Sequence, residues 1–460
     1  MAIRHTRMYR TGFLSAQSFV VLLFCLTVGL RLVGVVATFK GNDKVVSWED
    51  VAIAKNLLEG KGYSIDNMWR NRMIYGNLIR DVEDKIGDPL TEGYRPTTLK
   101  QPVFPFLLTA VFYVFGFGNF LALFIVHSIL AGLTAITLFL ALRTQSERIA
   151  AVFALGFAVY PPFIYQCATS PESTIVLLFL LSLFFYQAVR LQESPKLKRF
   201  ALSGAIAGAM VMTNPGALVF TMLSICFIAF IVSDKYLIWV KQVIVSLVLF
   251  SIVVSPWFIR NYIMFERLVI RAETGHELLK SRYEAGYDIL ISDEILLGLE
   301  KRGRVLSEVE EGEMLIGAIS TEVRRDLVML GHGMLMNLFH FWWEPPRYHS
   351  DYSLLYKMGR RIPYYILLVL SIPAIIWSLI QSAQRRVAYM KHHVSDCMAI
   401  LLIVADTAVF SYIGGWNIRY HFPIECAMLL FAAQTTIVLY DGVSGVALHK
   451  KFRAFYNLWA

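Results

Sequence analysis

The stretch Ser47–Ser64, SWEDVAIAKNLLEGKGYS, follows the first long apolar run of the chain and sets two carboxylates, Glu49 and Asp50, at the start of a short helical pattern. Ser47 followed three residues later by Asp50 reads as a capping box, and acidic groups in a first turn complement the helix dipole. This gives Asp50 a structural role and leaves Glu49 without one. Gly60 and Gly62 close the helix, and a polar stretch leads on to EGYRPTTLKQPVFPF (92–106).

The chain around this stretch is unlike a soluble protein. Of 460 residues, 57% are hydrophobic and only 17% charged, which implies a polytopic, all-α membrane protein. The net charge of +9 comes from short basic clusters between apolar runs, as the positive-inside rule arranges them, so no nucleic-acid partner is expected. The five cysteines fall in or beside apolar segments without ligand spacing and read as small packed groups. The first apolar run lacks a small-residue cleavage site and reads as a retained span.

Taking about 20 apolar residues per crossing, spans are predicted near 13–37, 122–141, 149–166, 171–189, 200–215, 217–232, 237–256, 363–381, 396–415 and 421–441. That makes about ten, or eleven to twelve if two ambiguous stretches also cross. QPVFPFLLTAVFYVFGFG (101–118) is short and proline-punctuated, and MLMNLFHFWWEPP (334–346) is short as well; both suit interfacial or re-entrant positions. The basic clusters then fall on one side. Residues 1–12 and 442–460 are predicted cytoplasmic, while 38–121 and 257–362 face outward, separated by spans over 122–256 and followed by spans over 363–441. The expected location is the inner (plasma) membrane. Within the second outer segment, Ser307 and Glu310 form a capping-box pattern that predicts a surface helix.

The combination of first span, acidic helix, GKGYS and proline-rich approach to an aromatic helix ending in FGFG resembles the GT-C superfamily of membrane glycosyltransferases. That group includes protein O-mannosyltransferases and the aminoarabinose transferase of lipid A. SPEST (170–174), SPWFIRNYIMFERLVIRAETGHEL (255–278) and RYHFPIE (419–425) fit the same pattern, so the resemblance spans about 15–442. It implies a hexosyl- or pentosyltransferase that takes sugar from a polyprenyl-phosphate carrier. The acceptor, a lipid, glycan or protein, would lie at the outer membrane face, and the transfer would usually invert the anomeric carbon. The acidic motif matches Glu49 most closely, with Asp50 beside it, and Asp43 is an outside candidate; Glu49, Asp50 or both carry the role.

Such a transfer needs a base for the acceptor hydroxyl and fixed cations for the leaving phosphate. At outer span ends the cations are Lys100, Arg260, Arg271 and Arg419, with Tyr420 beside the last. Glu172 in PEST is a further candidate, although a first-turn acid after Pro171 is also a plain helix start. Some members of the group are metal-assisted, which would place a divalent ion at Glu49, but one carboxylate pair does not specify a metal and no cofactor is assigned. Arg31, inside the first span, reads as a residue that snorkels to the interface. Asp406 in VADTAVF is an intramembrane carboxylate, for which a site and a helix-packing hydrogen bond are equally good readings. A transporter or flippase of lipid-linked sugars is the rival class; it would show repeats and mid-membrane polar sites, whereas here the polar residues concentrate in two outer segments.

Overall fold

In lipid every backbone N–H and C=O must find its partner inside the protein, and long apolar runs meet that demand as helices. The structure, a computed structural model, describes residues 16–45, 49–66, 93–233, 235–275, 277–278, 307–325, 327–343, 354–414 and 420–443. Ser47, Arg419 and both termini lie outside the described residues.

The order is α1 (Ala16–Thr38), α2 (Glu49–Leu58), the strands β1 (Ser64–Asp66) and β2 (Tyr94–Pro96), α3 (Val103–Phe115), α4 (Phe120–Leu142), α5 (Glu147–Val159) and α6 (Pro161–Thr169). There follow α7 (Thr174–Glu193), α8 (Leu197–Val211), α9 (Ala217–Val232), α10 (Tyr236–Phe265), α11 (Glu308–Arg325), α12 (Leu327–Trp342), α13 (Leu354–His392), α14 (Val394–Ile413) and α15 (Phe422–Val443). The two strands pair antiparallel, Ile65 opposite Arg95. The chain is thus a multi-pass, helical membrane protein. Among the described residues seven helices, α1, α4, α7, α10, α13, α14 and α15, are long and apolar enough to cross, and the pair α5–α6 adds an eighth if it is one span. Helices α8 and α9 stand where two further spans were predicted, but 15 and 16 residues reach only about 24 Å.

Contacts define two ends of the bundle. At one end Gln192 Nε2 donates to the Lys391 carbonyl, Ser395 Oγ to Gln145 Oε1 (2.7 Å), and Arg148 pairs with Asp441 (3.5 Å). This end carries Arg143, Arg190, Lys196, Lys198, Arg199 and Arg385. At the other end α1, α6, α8, α10 and α14 finish, while α4, α7, α9 and α15 begin. The turn over 212–218 closes there on Asn214, whose Oδ1 accepts from the Gly216 N–H at 2.9 Å. Close packing in the bundle needs small residues: a Cβ on Gly204 of α8 would lie 2.0 Å from the Ser246 carbonyl of α10.

The span predicted over 149–166 is two helices bent by 46°. Pro161 and Pro162 have no N–H, and a residue before proline avoids the helical region; Tyr160 accordingly has ψ 112°. The carbonyls of Phe157 and Ala158, four residues before each proline, therefore lose their helical donors. Arg31 supplies replacements. Fully buried in α1, it donates from Nη2 to the Phe157 oxygen (3.2 Å) and from Nη1 to the Ala158 oxygen (3.1 Å), with its guanidinium 5.2 Å from the Phe157 ring centre. The snorkelling expectation for Arg31 is corrected: it faces inward with Leu23, Thr27 and Val35, one turn apart along α1.

Helix α3, with 13 residues, is too short at about 20 Å to cross. Helix α12 packs along α14, where Asn337 Nδ2 donates to the Ser411 carbonyl (3.0 Å) and the Phe341 and Phe410 rings stack at 5.7 Å. A buried ion pair, Arg360 Nη2 to Glu425 Oε1 at 2.6 Å, joins α13 to the start of α15. The capping box predicted for α11 is present: the Ser307 N–H donates to Glu310 Oε2 (2.9 Å) and the Glu310 N–H to Ser307 Oγ (3.2 Å).

Replacing Arg31 by Met should leave two buried carbonyls unpaired and cost about 2 to 4 kcal/mol, read as a lowered thermal midpoint of the purified protein in detergent. A midpoint equal to wild type would show that other groups satisfy those carbonyls.

Candidate active site

Helix α2 begins with its two acids tucked beneath it: Glu49 is 3% exposed and Asp50 7%. Consecutive helical residues diverge by about 100°, and the two side chains go to different places. Glu49 Oε2 lies 3.6 Å from Lys100 Nζ, whereas Asp50 lines a cavity.

Lys100 comes from the turn Thr97–Lys100, which follows β2 and is held on all sides. Arg260, at the end of α10, donates from Nη1 to the Thr97 carbonyl (2.8 Å) and from Nη2 to the Tyr63 carbonyl (2.7 Å). Arg271 Nε donates to the Leu99 carbonyl (3.1 Å), and Tyr63 OH to that of Lys100 (2.9 Å). Burial pushes the Tyr63 phenol well above its ordinary pKa, so it stays protonated and able to donate. Glu308, the first residue of α11, accepts from the Thr97 hydroxyl (2.8 Å), the Thr98 hydroxyl (2.8 Å) and the Thr98 N–H. Lys100 Nζ also lies 3.8 Å from Glu273 Oε2, and Glu273 and Glu277 both pair with Arg271. Charge thus alternates from Glu49 through Lys100, Glu273 and Arg271 to Glu277.

The cavity, about 540 Å³ with its part open to solvent counted in, lies at the bundle end opposite the basic clusters. Two carboxylates, Asp50 and Glu172, and two cations, Lys100 and Arg271, line it together with Thr213 and Tyr420. Gln166 of α6 donates to Glu172 (3.0 Å), and Tyr420 is stacked on Phe410 with centres 4.5 Å apart. Leu177, Asn214 and Tyr420 also line a second cavity, about 340 Å³ with its part open to solvent counted in, whose walls are otherwise apolar apart from Asp406 of α14.

The structure therefore brings together Asp50, Lys100, Glu172 and Tyr420 of the residues expected from sequence, with Glu49 directly behind Lys100. Arg260 is not among the lining residues. Its guanidinium donates to two backbone carbonyls and to Asn261 Oδ1 (2.8 Å) and packs over the Tyr63, Trp257 and Phe265 rings at 5.1–5.5 Å. Arg419 lies outside the described residues, as does Ser47, the capping partner expected for Asp50. Glu273 and Glu308 were missed in the sequence; the only trace was the position of Glu308 in the first turn of a capped helix. Among the described residues no three His, Cys, Asp or Glu side chains are grouped to hold a metal ion.

Residues 96–259 match the family model described as dolichyl-phosphate-mannose-protein mannosyltransferase. No curated protein matches the sequence. Among solved structures, the oligosaccharyltransferase of Archaeoglobus fulgidus tethered to an acceptor peptide is 14% identical, with TM-score 0.53 over 93% of this chain and 50% of that one. The same organism's AglB in complex with an inhibitory peptide and a dolichol-phosphate is 13% identical, with TM-score 0.54 over 96% and 51%. ArnT from Cupriavidus metallidurans bound to undecaprenyl phosphate gives 11% identity and TM-score 0.40 over 92% and 79%. The chain spans about half the length of the archaeal proteins. The resemblance to GT-C membrane glycosyltransferases holds in the fold and in the matched family model.

If Arg260 acts as a fork on two carbonyls, charge alone will not replace it. Both Arg260→Gln and Arg260→Lys should lower stability by about 1 to 2 kcal/mol, measured as thermal midpoint. A Lys variant as stable as wild type would show that only the positive charge matters.

Proposed function

We propose that this chain is a glycosyltransferase that moves a sugar from a polyprenyl-phosphate donor to an acceptor hydroxyl at the outer face of the membrane, with inversion. The observation that carries the reading is the cavity itself, where two carboxylates and two cations meet at the bundle end away from the basic clusters. Lys100 and Arg271 would hold the donor phosphate, joined by Arg419, which is adjacent in sequence to Tyr420. Asp50 would take the acceptor proton as the hydroxyl oxygen attacks the anomeric carbon. The sugar–phosphate bond breaks, the electron pair leaves with the phosphate, and the fixed cations neutralise the charge that grows there. The products are the glycosylated acceptor and polyprenyl phosphate.

Glu49, tied to Lys100, would then orient the cation, a division of labour opposite to the one that capping alone suggests. The smaller cavity, apolar apart from Asn214, Asp406 and Tyr420, shares a wall with the larger one and would take the start of the carrier chain. Protein, lipid and glycan acceptors all remain candidates, and the acceptor and inhibitory peptides held by the archaeal proteins favour a peptide. The positive-inside distribution favours cytoplasmic termini and, in a bacterium, the inner membrane.

The test is a transfer assay with purified protein and a panel of labelled hexosyl and pentosyl polyprenyl phosphates. Asp50→Asn should reduce transfer about a hundredfold or more while donor binding persists. Glu49→Gln should instead weaken the donor KM more than kcat. An active Asp50 variant beside an inactive Glu49 variant would exchange the two roles, and no transfer from any donor would reject the enzyme reading.

A further inference from the structure

We propose that Glu308 is a positioning residue that sets the two cavity cations, Lys100 and Arg271, relative to each other. The proposal rests on the glycosyltransferase reading for its ligand and on geometry for its mechanism. Glu308 stands at the start of α11, 4% exposed, and comes from a part of the chain 210 residues from the turn it grips. Its carboxylate accepts both threonine hydroxyls and the Thr98 N–H, so three donors of the Thr97–Lys100 turn converge on one anion, while the Thr97 N–H goes to the Tyr63 carbonyl. A carboxylate that accepts three bonds fixes its neighbours more firmly than a neutral acceptor does.

The Thr98 hydroxyl carries the registration further. While donating to Glu308 Oε1, it accepts from the Ala272 N–H at 3.2 Å. Ala272 directly follows Arg271, so a single hydroxyl indexes the lysine-bearing turn and the arginine-bearing segment to the same carboxylate. Two glycines bring the second segment against α11. A Cβ on Gly275 would lie 2.5 Å from the Gly312 carbonyl, and one on Gly312 would lie 2.4 Å from that of Ala272. On the opposite side of the turn, Arg260 donates to the Thr97 carbonyl and Arg271 to that of Leu99. The turn is thus gripped by an anion at its donors and by cations at its acceptors. Glu308, Thr97 and Thr98 are not among the residues that line the cavity; what the arrangement delivers is where Lys100 Nζ and the Arg271 guanidinium stand.

The neighbouring Glu310 provides the control, because its capping bonds run to Ser307 of the same helix. Four variants, Glu308→Ala, Glu308→Gln, Thr98→Val and Glu310→Ala, would be purified in full-length form. Polyprenyl phosphate binding and amide hydrogen exchange over residues 93–103 would be measured for each. Glu308→Ala should weaken polyprenyl phosphate binding about tenfold or more and accelerate exchange in 93–103. Thr98→Val and Glu308→Gln should move both readouts in the same direction by less. Glu310→Ala should lower the thermal midpoint and leave both readouts as in wild type. The proposal is overturned if Glu310→Ala shifts binding and exchange as much as Glu308→Ala does, or if Glu308→Ala changes the midpoint alone. Should the wild-type protein fail to bind polyprenyl phosphate, the enzyme reading falls, and the exchange of 93–103 still decides whether Glu308 positions the turn.

Discussion

Two carbonyl oxygens without helical donors, those of Phe157 and Ala158, constrain much of what surrounds them. In an apolar bundle such groups must be paired, and the guanidinium of Arg31 pairs both. This fixes α1 against the break between α5 and α6 and so fixes where α1 ends. The acidic helix α2 follows after a short connection, and α6 leads into the segment that carries Glu172. A proline pair in one helix and an arginine in another, more than 120 residues apart, thereby bring the two carboxylates of the cavity to one end of the bundle.

Electrostatics completes the cavity. A lone buried lysine or glutamate would be costly, but charges that alternate in sign share the penalty of desolvation. The chain from Glu49 to Glu277 is such an alternation, and it sets Lys100 and Arg271 beside a low-dielectric wall, where the effect of a cation on an anion is strongest. A phosphate seated there would meet cations whose positions are already set by hydrogen bonds to the backbone, so little reorganisation would accompany a growing negative charge.

Much of the fold was legible in the sequence because lipid imposes a length: runs of about 20 apolar residues can be little else. The capping box at Ser307 and Glu310 was legible because its partners lie within a few residues of each other. The bend at Tyr160 was half legible, since both prolines are visible, but the carbonyls they orphan are satisfied from α1 and spacing cannot reveal that. The same limit hid the true work of Arg260 and Glu308. Each grips backbone or hydroxyl groups 160 to 210 residues away, and bonds to the backbone leave no requirement on the identity of the residue gripped. Glu49 and Asp50 stand side by side in the sequence, yet their separate destinations, one beside Lys100 and the other at the cavity wall, depend on where Lys100 arrives.

The ribbon of β1 and β2 has a consequence for how the two halves of the charged chain stay in register. Ser64 faces Pro96 and Asp66 faces Tyr94, and each strand has its own anchor: β1 the Asn56 amide, which donates to the Ser64 carbonyl at 3.1 Å, and β2 the clamps on the turn that follows it. Asn56 belongs to α2, the helix that opens with Glu49 and Asp50, whereas β2 leads straight into the turn that carries Lys100. The ribbon is therefore a hasp: a pairing only three residues long latches the acidic helix to the lysine-bearing turn, and a slip of its register would part the acids from their cation.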